Sequence, residues 1–419
     1  MPPAKDPFHK KLGKGVRKYH RHLTKYLYER DTIFATIWVF LFIMILNLLP
    51  TKNLYFLNPI KLSLQDFEFN DISYAKLKKG KNTGIDDRIS IVNIGHMNRE
   101  ELSMLIEKTA SMKPKMMGLD ALFYGPSEDP RQDSLLNETF RKTPNLVVAQ
   151  QLQFTEEGDT ITTVGDYFKT GAQYGHVNFF HDSISTIRFF DPYEKDYNKK
   201  KFPAFTTQLV KGYDKDAYKK LMKKNDNKVY INYTRRQNQY LIIDPEKIMM
   251  DGVDDSAILN RIVLFGYISQ GPTDIEDKKF TPMNERFAGK SIPDMNGIVV
   301  HANIISMVLD DNYIKKLPSW VNWLVAVIIG WLHMSFFVRY YLENHIWFHL
   351  VAKIAQLASA IFFVYLGMLL FDMYNIKLDM NYSLIVIVLA VDVIYFYEAF
   401  AVWMHKKFHY HTVFHQKHH

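Results

Sequence analysis

Four long apolar runs break an otherwise mixed pattern of hydrophobic and polar positions. The first covers residues 33–49; the other three, 320–338, 351–371 and 382–404, crowd into the last hundred positions. A helix crosses the hydrocarbon core of a bilayer with about 20 apolar residues, so each run predicts one transmembrane span. Between the first run and the second, short apolar segments alternate with charged and turn-forming residues. That stretch, 51–317, reads as a folded domain outside the membrane.

Two hydrophobic periods alternate inside it. Residues 88–95 form a short apolar run of the buried-strand type, closed by Gly95. Asn98 then stands three residues ahead of Glu101, a capping-box arrangement, and Leu102, Leu105 and Ile106 recur at helical spacing. Residues 115–123 read as a second strand, 133–142 as a second helix and 145–150 as a third strand. This rhythm implies a parallel sheet flanked by helices, with right-handed crossovers.

The middle is less regular. Residues 177–180, 186–190, 228–233 and 240–243 are strand-like and 204–211 helical, and the tight spacing of 177–190 suggests a hairpin. A buried-type strand at 261–267 and a helix at 298–309 resume the pattern. The expected fold class is an α/β exported domain, largely a parallel sheet flanked by helices with an antiparallel insertion, plus four transmembrane α-helices.

Charge orients the chain. Residues 1–31 hold nine basic side chains (Lys5, Lys10, Lys11, Lys14, Arg17, Lys18, Arg21, Lys25, Arg30) against Asp6, Glu29 and Asp31. Basic residues beside spans stay cytoplasmic. The expectation is a basic cytoplasmic tail at 1–31, a span at 32–50, an exported domain at 51–317, three spans in 318–404 and a His-rich cytoplasmic tail at 405–419. Both termini then lie inside the cytoplasmic (inner) membrane, and Arg339, Lys406, Lys407 and Lys417 agree with that sidedness. No small-residue cleavage site follows the first run, so it reads as a retained anchor. The positive charge sits in the tails and suits anionic lipid headgroups rather than nucleic acid. The chain has no cysteine, which excludes disulfides, iron–sulfur clusters and thiol catalysis.

The order of segments resembles the second type of CHASE domain, an exported sensory module associated with cyclases and histidine kinases. The matching residues are Asp87, Arg88 and Ile91–Gly95, then Asn98 and Arg99; Lys113, Pro114 and Lys115 with Gly118, Leu119, Asp120 and Phe123; Arg261–Gly266; and Asp277, Thr281, Pro282 and Asn296–Ala302. The layout of one span, a domain and three further spans is also typical of that family, and the resemblance covers about residues 55–405. Family members usually carry Pro-Gly before the last helix, where this chain has Asn296 and Gly297. They also commonly continue into a kinase or cyclase. Fifteen residues follow Met404, so the expectation is signalling through a separate cytoplasmic protein.

Ligands of α/β sheets bind beyond the carboxyl ends of the strands. Candidate ligand-binding residues there are His96, Asn98, Arg99, Asp120, Asp274, Asp277 and His301. Arg99 at a helix N-terminus could clamp a carboxylate or phosphate, or simply be an exposed first-turn residue. Asp120 in an apolar strand needs a partner if buried, with Arg88, Arg99 or a backbone N–H expected ahead of a catalytic role. Asp274 and Asp277 could meet a cation through oxygen ligands, although a solvated loop is favoured. His301 reads first as a hydrogen-bonded structural residue. No Ser–His–Asp set, zinc spacing or phosphate loop is present, so no enzyme activity and no cofactor are expected.

Ionisable residues within spans are costly and usually face protein. Counting depth along the helices predicts a layer of His333, Lys353 and Glu398, with a Lys353–Glu398 pair and Asp392 deeper beside Gln356. A transporter using Asp392 as a proton site is disfavoured, since no span is broken. Histidines 405, 409, 411, 415, 418 and 419 could chelate zinc or nickel at four-residue spacing, with lipid contact favoured. The leading expectation is a sensor in the lipid bilayer that binds an extracytoplasmic ligand or envelope protein and acts on a separate cytoplasmic signalling protein; the oligomeric state is left open, although sensors of this layout often need a homodimer. The alternatives are a non-sensing assembly component of the envelope and, behind it, an exported hydrolase.

Overall fold

The computed structural model describes residues 25–48, 69–74, 84–154, 160–168, 172–179, 186–224, 228–271, 273–285, 292–343 and 346–417. It divides into two compact units, Pro59–Ile314 and the combination of Met1–Asn58 with Lys315–His419. In chain order, helix α1 (Arg30–Leu48) comes first. Strand β1 (Asp86–Asn93), α2 (Arg99–Ser111), β2 (Met116–Leu119), α3 (Pro130–Lys142) and β3 (Leu146–Phe154) follow. Next are β4 (Ile161–Val164), β5 (Gln173–His176), α4 (Phe205–Tyr213), α5 (Lys215–Lys223), β6 (Tyr240–Ile243), β7 (Ile262–Gly266) and α6 (Gly297–Leu309). Helices α7 (Ser319–Glu343), α8 (Phe348–Tyr374) and α9 (Asn381–Phe408) close the chain order.

The domain unit is a mostly parallel sheet between helices. Its strand order is β6-β1-β7-β2-β3, and β3 carries β5 as a parallel neighbour and β4 as an antiparallel one. Central β7 is buried at every position, as a strand covered on both faces must be. Val263 and Phe265 enter one core with Leu102, Leu105, Leu136 and Phe140 of α2 and α3. On the opposite face the helices approach the sheet so closely that two strand positions must lack a side chain. A Cβ at Gly118 would lie 2.7 Å from Phe205 Cζ, and one at Gly266 would lie 2.7 Å from Ile298 Cβ.

The expected capping box is formed: Asn98 Oδ1 accepts the Glu101 N–H at 3.0 Å, and Glu101 Oε2 accepts the Asn98 N–H at 2.8 Å. The expected hairpin at 177–190 is not. The strand of that region, β5, lies earlier and runs parallel to β3, while Phe189–Phe190 pairs antiparallel with Val229–Tyr230. Residues 180–185 lie outside the described residues. The segment 240–243 is the edge strand beside β1 rather than part of a separate insertion. In each case a partner distant in sequence offers a better-covered apolar face than the nearest neighbour does.

In the second unit, all four expected spans are helices long and apolar enough to cross a membrane. Here α1, α7 and α9 share one core, built from Ala35 and Val39, Met334 and Phe337, and Ala390 and Ile394. Gly330 of α7 lets α9 approach, since a Cβ there would lie 2.8 Å from Val386 Cγ1. Helix α8 stands outside this trio and meets chiefly α9. The first span is thus part of the base, not a separate leash.

Candidate functional site

The loops after β1, β2, β5 and β7 begin at the carboxyl edge of the sheet, and polar side chains organise them. Asn93 ties the first to the last: its Oδ1 accepts the N–H groups of Gly95 at 3.1 Å and Ile268 at 2.9 Å, and its Nδ2 donates to Ile268 O at 3.2 Å. Asn93 was not among the expected site residues, although an Asn ending a buried strand just before a glycine is a readable signal. Asp274 shapes the loop after β7 by accepting from Tyr267 Oη at 2.8 Å and from the N–H groups of Gln270 at 2.8 Å and Glu276 at 3.1 Å. Asp277 does different work. Its Oδ2 accepts the Gly297 N–H at 3.0 Å, capping α6 from outside the helix, and its Oδ1 lies 3.1 Å from Lys279 Nζ. Among the described residues no cluster of three His, Asp or Glu could hold a metal ion.

Asp120 follows β2 directly, with its N–H donating to Phe265 O at 2.8 Å. Its carboxyl faces His301 of α6, Oδ2 to Nε2 being 3.9 Å, and is 17% exposed. Of the expected partners, Arg88 and Arg99 are engaged elsewhere, with Asp86 and Asp310 and with Asp133. Burial first, then the nearby Asp277, pushes its pKa up to about 7, against the pull of Lys279. His301 is stacked on Phe179 at 4.6 Å between ring centroids and edge-on to Phe205 at 5.2 Å. Burial, with lesser contributions from His176 and Lys279, pushes its pKa down to about 3, so the ring is neutral. Its Nδ1 is buried and makes no hydrogen bond among the described residues. At the end of β5, burial likewise pushes His176 down to about 4. A buried acid and two neutral imidazoles therefore line one edge of the sheet.

Arg99 is placed otherwise. Its guanidinium pairs with Asp133 of α3, donates to Gly125 O at 2.6 Å, and lies 5.3–5.7 Å from the ring centroids of Phe123, Tyr167 and Phe168. These contacts engage the group expected to clamp an anion. His96 projects outward, 73% exposed, with Nε2 3.6 Å from Glu276 and its ring against Tyr267.

The chain matches the CHASE2 domain family over residues 66–337, well over half its length. It belongs to the CHASE2 family. CHASE2 domains are extracellular sensory modules, and the four apolar helices make this one part of a membrane protein. No curated protein and no solved structure matches the chain.

The intramembrane layer of this CHASE2 protein differs from the expected one. Lys353 faces Asp392, Nζ to Oδ1 being 3.6 Å, rather than Glu398. Glu398 accepts instead from Tyr341 Oη of α7 at 2.5 Å. Gln356 does not serve Asp392; its Nε2 donates to the carbonyls of Ile387 at 2.7 Å and Val388 at 2.8 Å. His333 bonds within its own helix, Nδ1 to Ile329 O at 2.8 Å. Depth counting fails because α9 continues to Phe408, so its residues sit one to two turns lower against α8 than a common end plane implies. Over the described residues the His-rich tail of the CHASE2 chain is also not one helical face; His418 and His419 lie outside them. Helix α9 stops where His409 adopts φ 54°, and the tail turns back to stack His415 on His405 at 3.7 Å.

Proposed function

We propose that this CHASE2 protein is a membrane-anchored sensor. Its exported domain binds a small polar signal molecule at the carboxyl edge of the sheet, and its helices relay the bound state to a separate cytoplasmic protein. One observation carries the reading: Asp120 faces His301 at 3.9 Å in a largely buried setting, and His301 Nδ1 is buried without a hydrogen bond among the described residues. Burying a polar ring nitrogen without such a bond is costly, and a ligand that bonds it would recover that cost. Asp277 and His301 belong to the cap and second turn of α6, which the chain continues within ten residues into α7. A ligand that favours one placement of α6 can therefore bias the span that follows it. The positive charge of residues 1–31 supports an inner-membrane location with both termini cytoplasmic.

The test is native mass spectrometry of the intact protein, purified from its own membrane in mild detergent, beside Asp120→Asn. A small-molecule adduct on the wild type that the variant loses, with a cytoplasmic protein in the same sample, is the expected result. Envelope proteins alone, with no adduct, would replace this reading with that of an assembly platform.

A further inference from the structure

A second cleft lies at the amino edge of the sheet, where the parallel strands β2, β3 and β5 begin, at the opposite end of the strands from Asp120 and His176. Its volume is about 580 Å³. Met116 at the start of β2, Asn145 just ahead of β3 and Gln173 at the start of β5 form one wall. Helices α4 and α5 form the other, through Gly212 and the half-buried Tyr218.

The floor is apolar. A Cβ at Gly212 would lie 2.2 Å from Met116 Sδ, so the glycine is what lets the thioether lie against α4. The nearby amides are turned onto the backbone: Asn145 Nδ2 donates to Pro114 O at 3.0 Å, and Gln173 Nε2 to Pro144 O at 3.1 Å. The rim is cationic. Lys211, Lys215 and Lys219 stand on it at intervals of four, all exposed, and among the described residues no carboxylate lines the cleft. Asp216 neutralises Lys219, Nζ to Oδ1 being 3.1 Å. Lys211 and Lys215 form no ion pair among the described residues.

We propose that this cleft binds a small soluble organic anion, one carboxylate or phosphate carried on a short apolar body. Lys211 and Lys215 hold the charge, and the body lies against Met116 and the Tyr218 ring. The volume falls within the roughly 300–1,000 Å³ of small-molecule sites. A bare inorganic ion leaves the apolar floor unused, and a neutral ligand leaves the two ammonium groups unanswered. An ammonium is a compact charge without a fixed fork, so it serves a carboxylate and a phosphate alike.

The test is hydrogen exchange with mass spectrometry on the full-length protein in nanodiscs of phosphatidylcholine, which carries no net charge. The probes are phenylbutyrate and phenyl phosphate. Either probe protecting the amides of α4 and α5, more strongly as ionic strength falls, is the expected result. Acetate, which lacks the body, and phenylbutanol, which lacks the charge, are expected to protect far less. Replacing both exposed lysines, Lys211→Gln with Lys215→Gln, should raise the half-saturating concentration about tenfold, within what two solvent-exposed charge contacts supply. The proposal is overturned if neither probe protects α4 and α5, or if acetate or the alcohol protects as well as the probes. It is equally overturned if the double variant binds like the wild type. Protection confined to the loops after β2 and β7 would place the anion at the other edge of the sheet and overturn it too.

Discussion

The carboxyl of Asp31, at the start of α1, accepts the backbone N–H of Val413 at 2.7 Å, across 382 positions of sequence. Tyr397 Oη donates to the same carboxyl at 2.6 Å, and Tyr410 Oη at 3.4 Å. Next to it, Arg30 donates to His411 O at 2.6 Å and lies over the Tyr410 ring. Phe414 is fully buried against Tyr341 and Tyr397. The tail after α9 thus ties the first span to the last. A fully buried acid is tolerable here because several donors converge on it.

Replacing Asp31 by Ala should release that tail. The loss of several hydrogen bonds to one buried group implies a cost of roughly 2–4 kcal/mol, local to this end of the unit. Hydrogen exchange followed by mass spectrometry should show the Val413 and Phe414 amides losing protection while α7 keeps its own. Unchanged protection at Val413 would show that Phe414 packing alone holds the tail.

Asp86 gives the domain an acid-sensitive anchor. Burial would raise its pKa, but Arg88, Ser306 and Arg235 outweigh burial and hold it at about 2. Ser306 Oγ donates to it at 2.7 Å, and Arg88 also reaches Asp310 at 2.8 Å, so β1 is fastened to the end of α6. The unfolded value is about 3.9, hence this stabilisation is complete above pH 4 and is lost as pH falls toward 2, roughly 2–3 kcal/mol in all. In Asp86→Asn that part of the acid dependence should vanish from the exchange protection of β1 and β7. An unaltered pH profile would count against the assignment.

Asp120 works in the opposite direction. Its folded pKa of about 7 lies above the unfolded value, so the folded state keeps a proton that the unfolded state releases. Stability from this group is full below about pH 4 and declines as pH rises toward 7, by up to roughly 4 kcal/mol. The buried neutral His301 and His176, held at about 3 and about 4, oppose it by adding stability as pH rises toward 6.5. Asp120→Asn should therefore steepen the gain in stability between pH 4 and 6.5. It should also abolish the decline just above. A variant whose curve parallels the wild type would place the Asp120 titration elsewhere.

Arg99→Lys should not substitute for arginine. An ammonium cannot bond Asp133 and Gly125 O while lying flat among Phe123, Tyr167 and Phe168. A loss of about 2–3 kcal/mol in domain stability is expected, with Arg99→Ala similar. Chemical denaturation followed by far-ultraviolet circular dichroism measures it. Intact stability in both variants would reopen Arg99 as a group available to ligands.

Local signals were legible without any structure. Asn98 and Glu101 are three residues apart, so their capping box is a property of one turn. The apolar residues of β7 and of the four spans declare burial because a long uninterrupted run has no other place to go. Asp120 stood out as a charge at the end of an apolar strand.

Partners were another matter. Arg99 meets Asp133 across 34 positions, Lys353 meets Asp392 across 39, and Asp31 meets Val413 across 382. Which charges approach depends on how far each helix extends past its neighbour and on which strand β5 or β6 joins. Those choices are made by whole faces competing for burial, and the sum over such contacts is not carried by any one segment. The sequence by itself determined the spans, the α/β alternation and the family. Only the tertiary structure decided that Asp120 faces a neutral histidine, that Arg99 is already engaged, and that the tail closes on the first helix.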